Sequence, residues 1–501
     1  MISKVYSAIP FGYDGSLVEV EGEINRGLPK FNIVGMADKA INESKERVKS
    51  ALMNSSFSFP DKRITVNLAP ADLPKDGTYL DLPIALSILV SSAQLQQKDV
   101  ENRLFVGELS LNGKIRPTKG IINIIEAAKK AHFKEAYVPV KNLEQARLIQ
   151  GINIIGVDNL QQLFLHLKNE SIIENSATNV VKNKTKEDSS PILDHIRGQA
   201  LAKRAMTIAV AGHHNILISG PPGAGKTLLA RAAANLLPDL TPKEQISITK
   251  LYSIANLSNE VISERPFRSP HHTASSVSVI GGGATALPGE ISLAHHGVLF
   301  LDEIPEYPRS VLESLRQPLE DKKISISRAN RKTTYPADFM LIATMNPCPC
   351  GYAGDPTHEC TCSSNQIENY KKKLSGPLFD RIDMNIFVQK VDNADLLKPL
   401  PNKTNEHDVV KNKIKDAVER QQYRYKKSGF YNSDLSSHQV SSLLSLSKPA
   451  EQLLYTASEK LNLSARSYFK VIKVAQTIAD LDGAEQISEA HVSEALSFRK
   501  R

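Results

Sequence analysis

NILISGPPGAGKTLLARAAANLL, residues 215–237, decides how the rest of the chain is read. Residues 215–219 form a short apolar strand, and residues 220–227 spell the glycine-rich pattern G-x-x-x-x-G-K-T. The Leu/Ala run that follows predicts a helix. A strand before the motif and a helix after it are what make it credible as a phosphate-binding loop. Gly220, Gly223 and Gly225, spaced by Pro221, Pro222 and Ala224, let backbone N–H groups turn inward around phosphates. The helix start supplies a positive dipole end, Lys226 reaches the β- and γ-phosphates, and Thr227 offers a hydroxyl to Mg²⁺. The expected ligands are ATP and Mg²⁺.

Seventy-odd residues on, GVLFLDE (297–303) reads as a buried strand ending in two carboxylates. Asp302 is placed in the Mg²⁺ shell, and Glu303 orients the attacking water. A third apolar strand, FMLIATM (339–345), ends at Asn346, whose amide suits a place beside the γ-phosphate and the water. Arg381, in GPLFDRID (376–383), is a candidate to complete the site of a neighbouring subunit, since a phosphoryl-transfer site can take its arginine in trans. Its plainer reading is an ion pair with Asp380 or Asp383. Arg466, at the start of a C-terminal helix, is expected to reach the same nucleotide from its own subunit, or else to be an ordinary solvated arginine.

The full chain has 501 residues, 41% hydrophobic and 23% charged, with 62 Lys+Arg against 54 Asp+Glu and a net charge of +8. At roughly 150 residues per domain this predicts about three domains and excludes a largely disordered chain. The cationic excess suits a polyanionic partner without specifying one. The longest apolar stretch, LDLPIALSILV (80–90), is far short of the roughly 20 residues needed to cross a bilayer. No secretory signal opens the chain, so a cytoplasmic protein without a membrane partner is expected.

The fold class is α/β and multidomain. Residues 1–167 alternate strand-like pieces (17–23, 31–34, 63–68, 103–107, 135–139) with helix-like ones (40–53, 82–91, 121–131), which predicts an α/β domain. Residues 168–190 are polar and lack an apolar face, and read as a linker. Residues 191–395 form the ATPase core, and 396–501 read as a small helical domain.

Within the core, residues 322–336 (KKISISRANRKTTYP) alternate as two strands around a turn near Ala329 and Asn330, a β-hairpin carrying Lys322, Lys323, Arg328, Arg331 and Lys332. Such a basic hairpin is either a DNA-gripping element or a solvated surface. The insert 265–289 brings Arg268, His271 and His272, for which DNA or subunit contact competes with structural hydrogen bonding. Adjacent histidines in a strand point to opposite faces, which disfavours a metal there. His295 and His296 read as structural. All four cysteines, Cys348, Cys350, Cys360 and Cys362, fall in one loop as two C-x-C pairs. Tetrahedral Zn²⁺, reduced thiols and a local redox pair all remain open.

RPFRSPHHTAS (265–275), the 281–303 stretch, MNPCPCGYAGDPTHECTCS (345–363), SGPLFDRID (375–383) and LSARSYFKVIKVAQTIADLDG (463–483) together resemble the magnesium-chelatase-like ComM/YifB family of AAA+ ATPases. The likeness spans nearly the whole chain. It implies a homo-hexameric ring ATPase, with a helix-2 insert and a pre-sensor hairpin facing the pore and a C-terminal helical lid. It also implies DNA helicase or branch-migration activity during recombination in natural transformation. The alternative is a chelatase-type remodeller of a protein partner. By the same likeness residues 194–199 lie over the adenine, with Ile196 either a base contact or a helix lead-in. PKDGTYLDLP (74–83) and GKIRPTKGI (113–121) resemble the Lon-type proteolytic domain, a ribosomal S5 domain 2-like fold. There the serine position falls on Tyr79 and the lysine position on Ile122, and Ser55, Ser56 and Lys119 would need rearrangement to replace them. A Ser-Lys dyad needs a hydroxyl and a lysine in contact, so the fold is expected without the chemistry, leaving ring assembly or partner binding.

Overall fold

The computed structural model describes residues 2–35, 39–75, 77–174, 192–258, 260–283, 286–328, 331–355, 358–391 and 405–499. Most of the expected linker and the hairpin turn at Ala329 and Asn330 lie outside them. Two compact units divide the chain: Met1–Lys182 with Pro242–Ser263, and Asn183–Thr241 with Glu264–Arg501.

The first unit is built on a seven-stranded mixed sheet in the order Lys30–Val34, Arg63–Ala69, Asp14–Asn25, Ile2–Phe11, Arg103–Phe105, Glu135–Pro139, Asn153–Val157. Its central pair is an antiparallel hairpin, Phe11 facing Asp14; Arg63–Ala69 joins Asp14–Asn25 antiparallel, and the remaining neighbours pair in parallel. Helix Asp81–Ser91 is buried at ten of its eleven residues. An apolar run of that length can therefore cover a sheet centre without an exposed face. The Ile2–Phe11 strand escapes the sequence reading because its inward side carries Ser3 and Ser7 as well as Val5. Ser3 satisfies its hydroxyl on the Ser87 carbonyl at 2.8 Å.

Helix Pro242–Ile254, read above as part of the ATPase core, belongs to this first unit. Lys250 pairs with Glu126 and lies 4.1 Å over the Tyr13 ring. The Ser253 hydroxyl accepts from Gly120 N at 2.9 Å, and Gln145 donates to the Glu260 carbonyl at 2.9 Å. Polar pairs scattered over more than a hundred residues fix this docking, which no local periodicity announces.

The second unit holds a five-stranded sheet in the order Phe267–Arg268, Val298–Leu301, Met340–Met345, Ile216–Ser219, Met384–Phe387, every neighbour parallel. The central Met340–Met345 strand is buried at all six positions, as a strand covered on both faces must be. Asn215 stitches the starting edge together: its N–H donates to Asp383 Oδ2 (2.9 Å), its Oδ1 accepts from Leu341 N (2.8 Å), and its Nδ2 donates to the Arg381 carbonyl (3.3 Å). The C-terminal helices pack on the same core; Ala465–Asp482 is capped by the Ser464 side chain and ends at Gly483 with φ 77°. Among the described residues no helix is long and apolar enough to cross a membrane.

Gly297 opens the strand that leads to Asp302, and a Cβ there would lie 2.0 Å from the Pro266 carbonyl oxygen. Gly297→Ala is therefore expected to destabilise this unit by about 1–3 kcal/mol, seen as a lower midpoint in thermal unfolding; an unchanged midpoint would refute the close approach.

Candidate functional site

Three adjacent parallel strands end side by side at Ser219, Met345 and Leu301, so the loops after them gather at one sheet edge. That edge is where open parallel sheets take their ligands. Gly223 and Gly225 adopt φ 79° and 78°, which side-chain-bearing residues rarely adopt, and a Cβ on Gly220 would lie 2.3 Å from the Val388 carbonyl oxygen. Helix Lys226–Leu236 starts directly from this turn. Gln199 braces it from outside, donating to the Ala224 carbonyl at 2.7 Å. Ile196, at the foot of the same segment, is buried in the core cluster.

The Lys226 ammonium donates to the carbonyls of Gly220 (2.6 Å) and Pro221 (3.0 Å) and to Oδ1 of Asn346 (3.0 Å). Burial pulls its pKa below the usual lysine range, against the pull of Asp302 and Glu303. Asn346 also points its Nδ2 toward Glu303 Oε1 at 3.4 Å, so one amide spans the lysine and the second carboxylate. Glu303 sits at φ 50°, and its N–H donates to Thr344 Oγ1 at 3.0 Å. The same hydroxyl donates to Asp302 Oδ1. Lys226, Asp302, Glu303 and Asn346 thus meet at one place, with Thr227 exposed beside them. A glycine cradle, a helix start, one ammonium, a hydroxyl and two carboxylates fit a triphosphate with Mg²⁺.

Two residues beyond Asn346 begins the cysteine loop. Cys348 Sγ lies 3.3 Å from Cys350 and 3.7 Å from Cys360, Cys350 lies 3.6 Å from Cys360, and all four sulfurs fall within 4.8 Å of one another. These separations exceed the roughly 2 Å of a disulfide and sit near the roughly 3.8 Å edge of a zinc-thiolate tetrahedron. The loop is braced on the phosphate-binding turn, since a Cβ on Gly351 would stand 3.0 Å from Pro222 Cδ. Asp355 holds Lys390 at 2.9 Å on the strand exit beside that turn.

Arg381 and Arg466 lie at the other edge of the sheet. Arg381 precedes the Met384–Phe387 strand, whose first residue pairs with Ile216, while the phosphate-binding turn follows Ser219. Four residues of strand, about 13 Å, separate the two ends. Arg466 Nη2 donates to Glu320 Oε1 at 3.0 Å, and Arg381 Nη2 donates to Oε2 of the same carboxylate. The expectation that Arg466 reaches its own subunit's nucleotide is thereby corrected: the helical region carries it to the arginine edge. Arg381 pairs with neither Asp380 nor Asp383; Asp383 is taken by Lys470 at 3.0 Å and by Asn215 N. Both arginines line a cavity of about 640 Å³.

The cations expected to meet DNA divide. Arg268 is bound at both ends of the Glu290 carboxylate, 2.6 and 2.7 Å, and Lys322 is held between Asp338 (3.0 Å) and Asp434. Burial would lower the Lys322 pKa, yet the two carboxylates raise it, and Asp338 is held down to about 2 against its own burial. Both cations are thus already engaged by carboxylates. The hairpin itself, Lys323–Arg328 with Arg331–Pro336, forms in the register that sets Arg328 opposite Arg331, with Lys323 and Lys332 exposed. Its inner side packs on the glycine-rich insert, Tyr335 donating to the Ala286 carbonyl at 2.9 Å. His271 and His272 lie in a turn instead of a strand, with rings 4.1 Å apart, so they do not face opposite ways. His295 accepts from Asp338 N and His296 N donates to the Asp338 carbonyl, a structural use of both. In the first unit Ile122 is core, Lys119 is exposed and the Ser55 hydroxyl faces Gly113.

Sequence comparison meets this geometry over the whole chain. Residues 192–396 match the family described as magnesium chelatase, subunit ChlI, residues 20–142 match subunit ChlI of Mg-chelatase, and residues 404–499 match the ChlI C-terminal family. Competence protein ComM of Haemophilus influenzae is 41% identical, covering 99% of this chain and 97% of that protein. The uncharacterized protein YifB of Escherichia coli is 38% identical over 99% and 97%. The chain belongs to the magnesium-chelatase-like ComM/YifB family. As a member of this AAA+ family it has an ATP-binding core that uses Mg²⁺.

Two residues of this ComM/YifB chain that sequence reasoning passed over stand out. Thr344 is the polar residue inside an otherwise apolar strand, FMLIATM, and that interruption was its signal. Glu320 had none, because an acidic residue in a charged stretch looks like any solvated surface. Thr344→Val, which keeps shape and removes the hydroxyl, is expected to preserve ATP affinity and cut turnover roughly ten- to hundredfold. Equilibrium binding beside steady-state ATPase checks it, and normal turnover would show that Thr344 does not position the carboxylates.

Proposed function

We propose that this protein is a cytoplasmic ATP-hydrolysing motor that forms a homo-hexameric ring and works on DNA, as a helicase or branch-migration factor in the recombination of incoming DNA during natural transformation. The observation that carries the ring is the separation of its own site: Lys226, Asp302, Glu303 and Asn346 at one sheet edge, Arg381 and Arg466 at the other. Charge on a transferred phosphoryl group can be met by an arginine supplied in trans. In a ring, each arginine edge faces the next subunit's phosphate-binding edge.

Within that reading the turn 220–227 and Lys226 grip the phosphates, and Thr227 and Asp302 hold Mg²⁺. Mg²⁺ bound there would supply charge neutralisation for the transferred phosphoryl group. Glu303 polarises the attacking water, held in place by Asn346, while Thr344 fixes the Asp302 carboxylate and the Glu303 backbone. Arg381 and Arg466 stabilise the charge developing in the neighbour's site. The cysteine loop takes a structural zinc that stiffens the segment between Asn346 and Pro222. The first unit, a Lon-type fold without its dyad, serves ring assembly or a protein partner.

DNA as the track is supported by the competence name of the Haemophilus relative and by the hairpin, whose register sets Arg328 against Arg331 at its tip. Six such tips form a cationic collar that reads phosphate without sequence. Steady-state ATPase is expected to rise with single-stranded or branched DNA and to lose that rise at high salt. The Arg328/Arg331 double alanine variant is expected to lose it as well, with the salt slope of DNA binding reduced by about two or more. Unstimulated turnover would discard DNA in favour of a protein partner, as in a chelatase-type remodeller.

Protein purified without a His-tag is expected to carry about one zinc per chain, and Cys360→Ser to lose it together with much of the ATPase. Zinc in neither preparation would leave the cysteines as reduced thiols and end the metal reading.

A further inference from the structure

We propose that Glu320 is a relay: it restrains Arg381 and Arg466 until DNA acts on the hairpin, and so makes hydrolysis depend on DNA. The proposal rests on the reading that these arginines serve the neighbouring subunit's nucleotide.

One carboxylate engages both guanidinium groups, Arg466 through Oε1 at 3.0 Å and Arg381 through Oε2. Both of its oxygens are therefore committed to the two residues that must move onto a phosphate. Arg381 is anchored further on the Pro377 carbonyl at 2.7 Å, and its buried Nε finds no partner among the described residues. That donor is unsatisfied in the grip of Glu320 and has a reason to exchange it for an anion with more acceptor oxygens. For either arginine to meet a phosphate, it must first leave Glu320.

The position of Glu320 in the chain gives this exchange a destination. It sits on the single turn Pro318–Asp321, immediately before Lys322, which has φ 56° and begins the hairpin. Lys322 is pinned on two sides, to Asp338 at 3.0 Å and to Asp434 of the helical region. Its carbonyl accepts from Ala337 N at 2.8 Å, which closes the hairpin base. Only Asp321 lies between the carboxylate that restrains the arginines and the residue that anchors the hairpin. A load on the hairpin is thus delivered to Glu320 through two peptide units, too short a tether to absorb a shift by bending. Displacing the base draws the carboxylate off the guanidinium groups and frees them. The same linkage runs backwards, since a phosphate that captures Arg381 releases the hairpin base.

Glu320→Gln keeps the shape of the side chain and weakens its hold on both cations. The full-length variant, assayed as assembled rings, is expected to hydrolyse ATP without DNA roughly fivefold faster than wild type, and to lose most of its response to single-stranded DNA. A merely structural Glu320 would lower both rates and leave their ratio alone, and that outcome, like unchanged kinetics, overturns the relay. Glu320→Asp, which shortens the reach while keeping the charge, is the second variant should the first fail to fold. An intermediate DNA-free rate is expected from it, and wild-type behaviour overturns the proposal. Arg381→Ala mixed into wild-type rings separates the two levels of the argument. Turnover falling faster than the fraction of variant supports the trans reading whatever Glu320 does, whereas proportional loss removes the ground on which the relay stands.

Discussion

Because all five strands of the second unit's main sheet run the same way, whatever follows a strand collects at one edge and whatever precedes one collects at the other. Lys226, Asp302, Glu303 and Asn346 all follow strands; Arg381 precedes one. No rotamer change spans the strand length between them, about 13 Å. The sheet direction therefore keeps the phosphate-binding cluster and Arg381 apart on each chain, which the proposed function reads as two half-sites, and the helical region places Arg466 beside Arg381 on Glu320. Asn215 matters for the same reason. By tying Asp383, Leu341 and the Arg381 carbonyl together, it fixes the arginine edge as firmly as the glycine turn fixes the other.

Charge in this unit is mostly spent internally. Lys322 and Arg268 look from sequence like part of a basic surface, yet each is engaged by acidic partners. The hairpin is thus basic at its outer positions and ionically riveted at its base. On the proposed reading, in which the hairpin grips a polyanion and transmits force, each property serves at its own end. The net charge of +8 gives no hint of that division, since it counts riveted and exposed cations alike.

Legibility followed the range of the interactions. The phosphate-binding turn, the two acidic residues and the sensor amide were readable because each is a short motif on a strand end, where local pattern and chemistry coincide. The hairpin was readable for the same reason, as alternation over a dozen residues. What stayed hidden depends on pairings across long stretches of chain: Glu320 with Arg466, Lys322 with Asp434, and helix Pro242–Ile254 with Gly120 and Gln145. The strand Ile2–Phe11 was lost because buried serines broke its apolar rhythm, and the pairing of Arg466 with Glu320 stayed hidden because the two lie 146 residues apart.

Both special loops of the core are attached to the chemistry by the shortest possible leads. The hairpin starts two residues after Glu320, and the cysteine loop starts two residues after Asn346. A lead of that length passes on displacement instead of dissipating it, so each loop can report to, or be set by, the residue beside it. The cysteine loop touches Pro222 through Gly351, which puts four thiols in a position to hold the sensor strand and the phosphate-binding turn at one spacing. The cysteine loop ties one edge of the sheet to the phosphate-binding turn, while Glu320 holds both arginines of the other edge by ion pairs. In the ring proposed above, that asymmetry lets the half-site that binds nucleotide keep its shape while the half-site facing the neighbour changes partners.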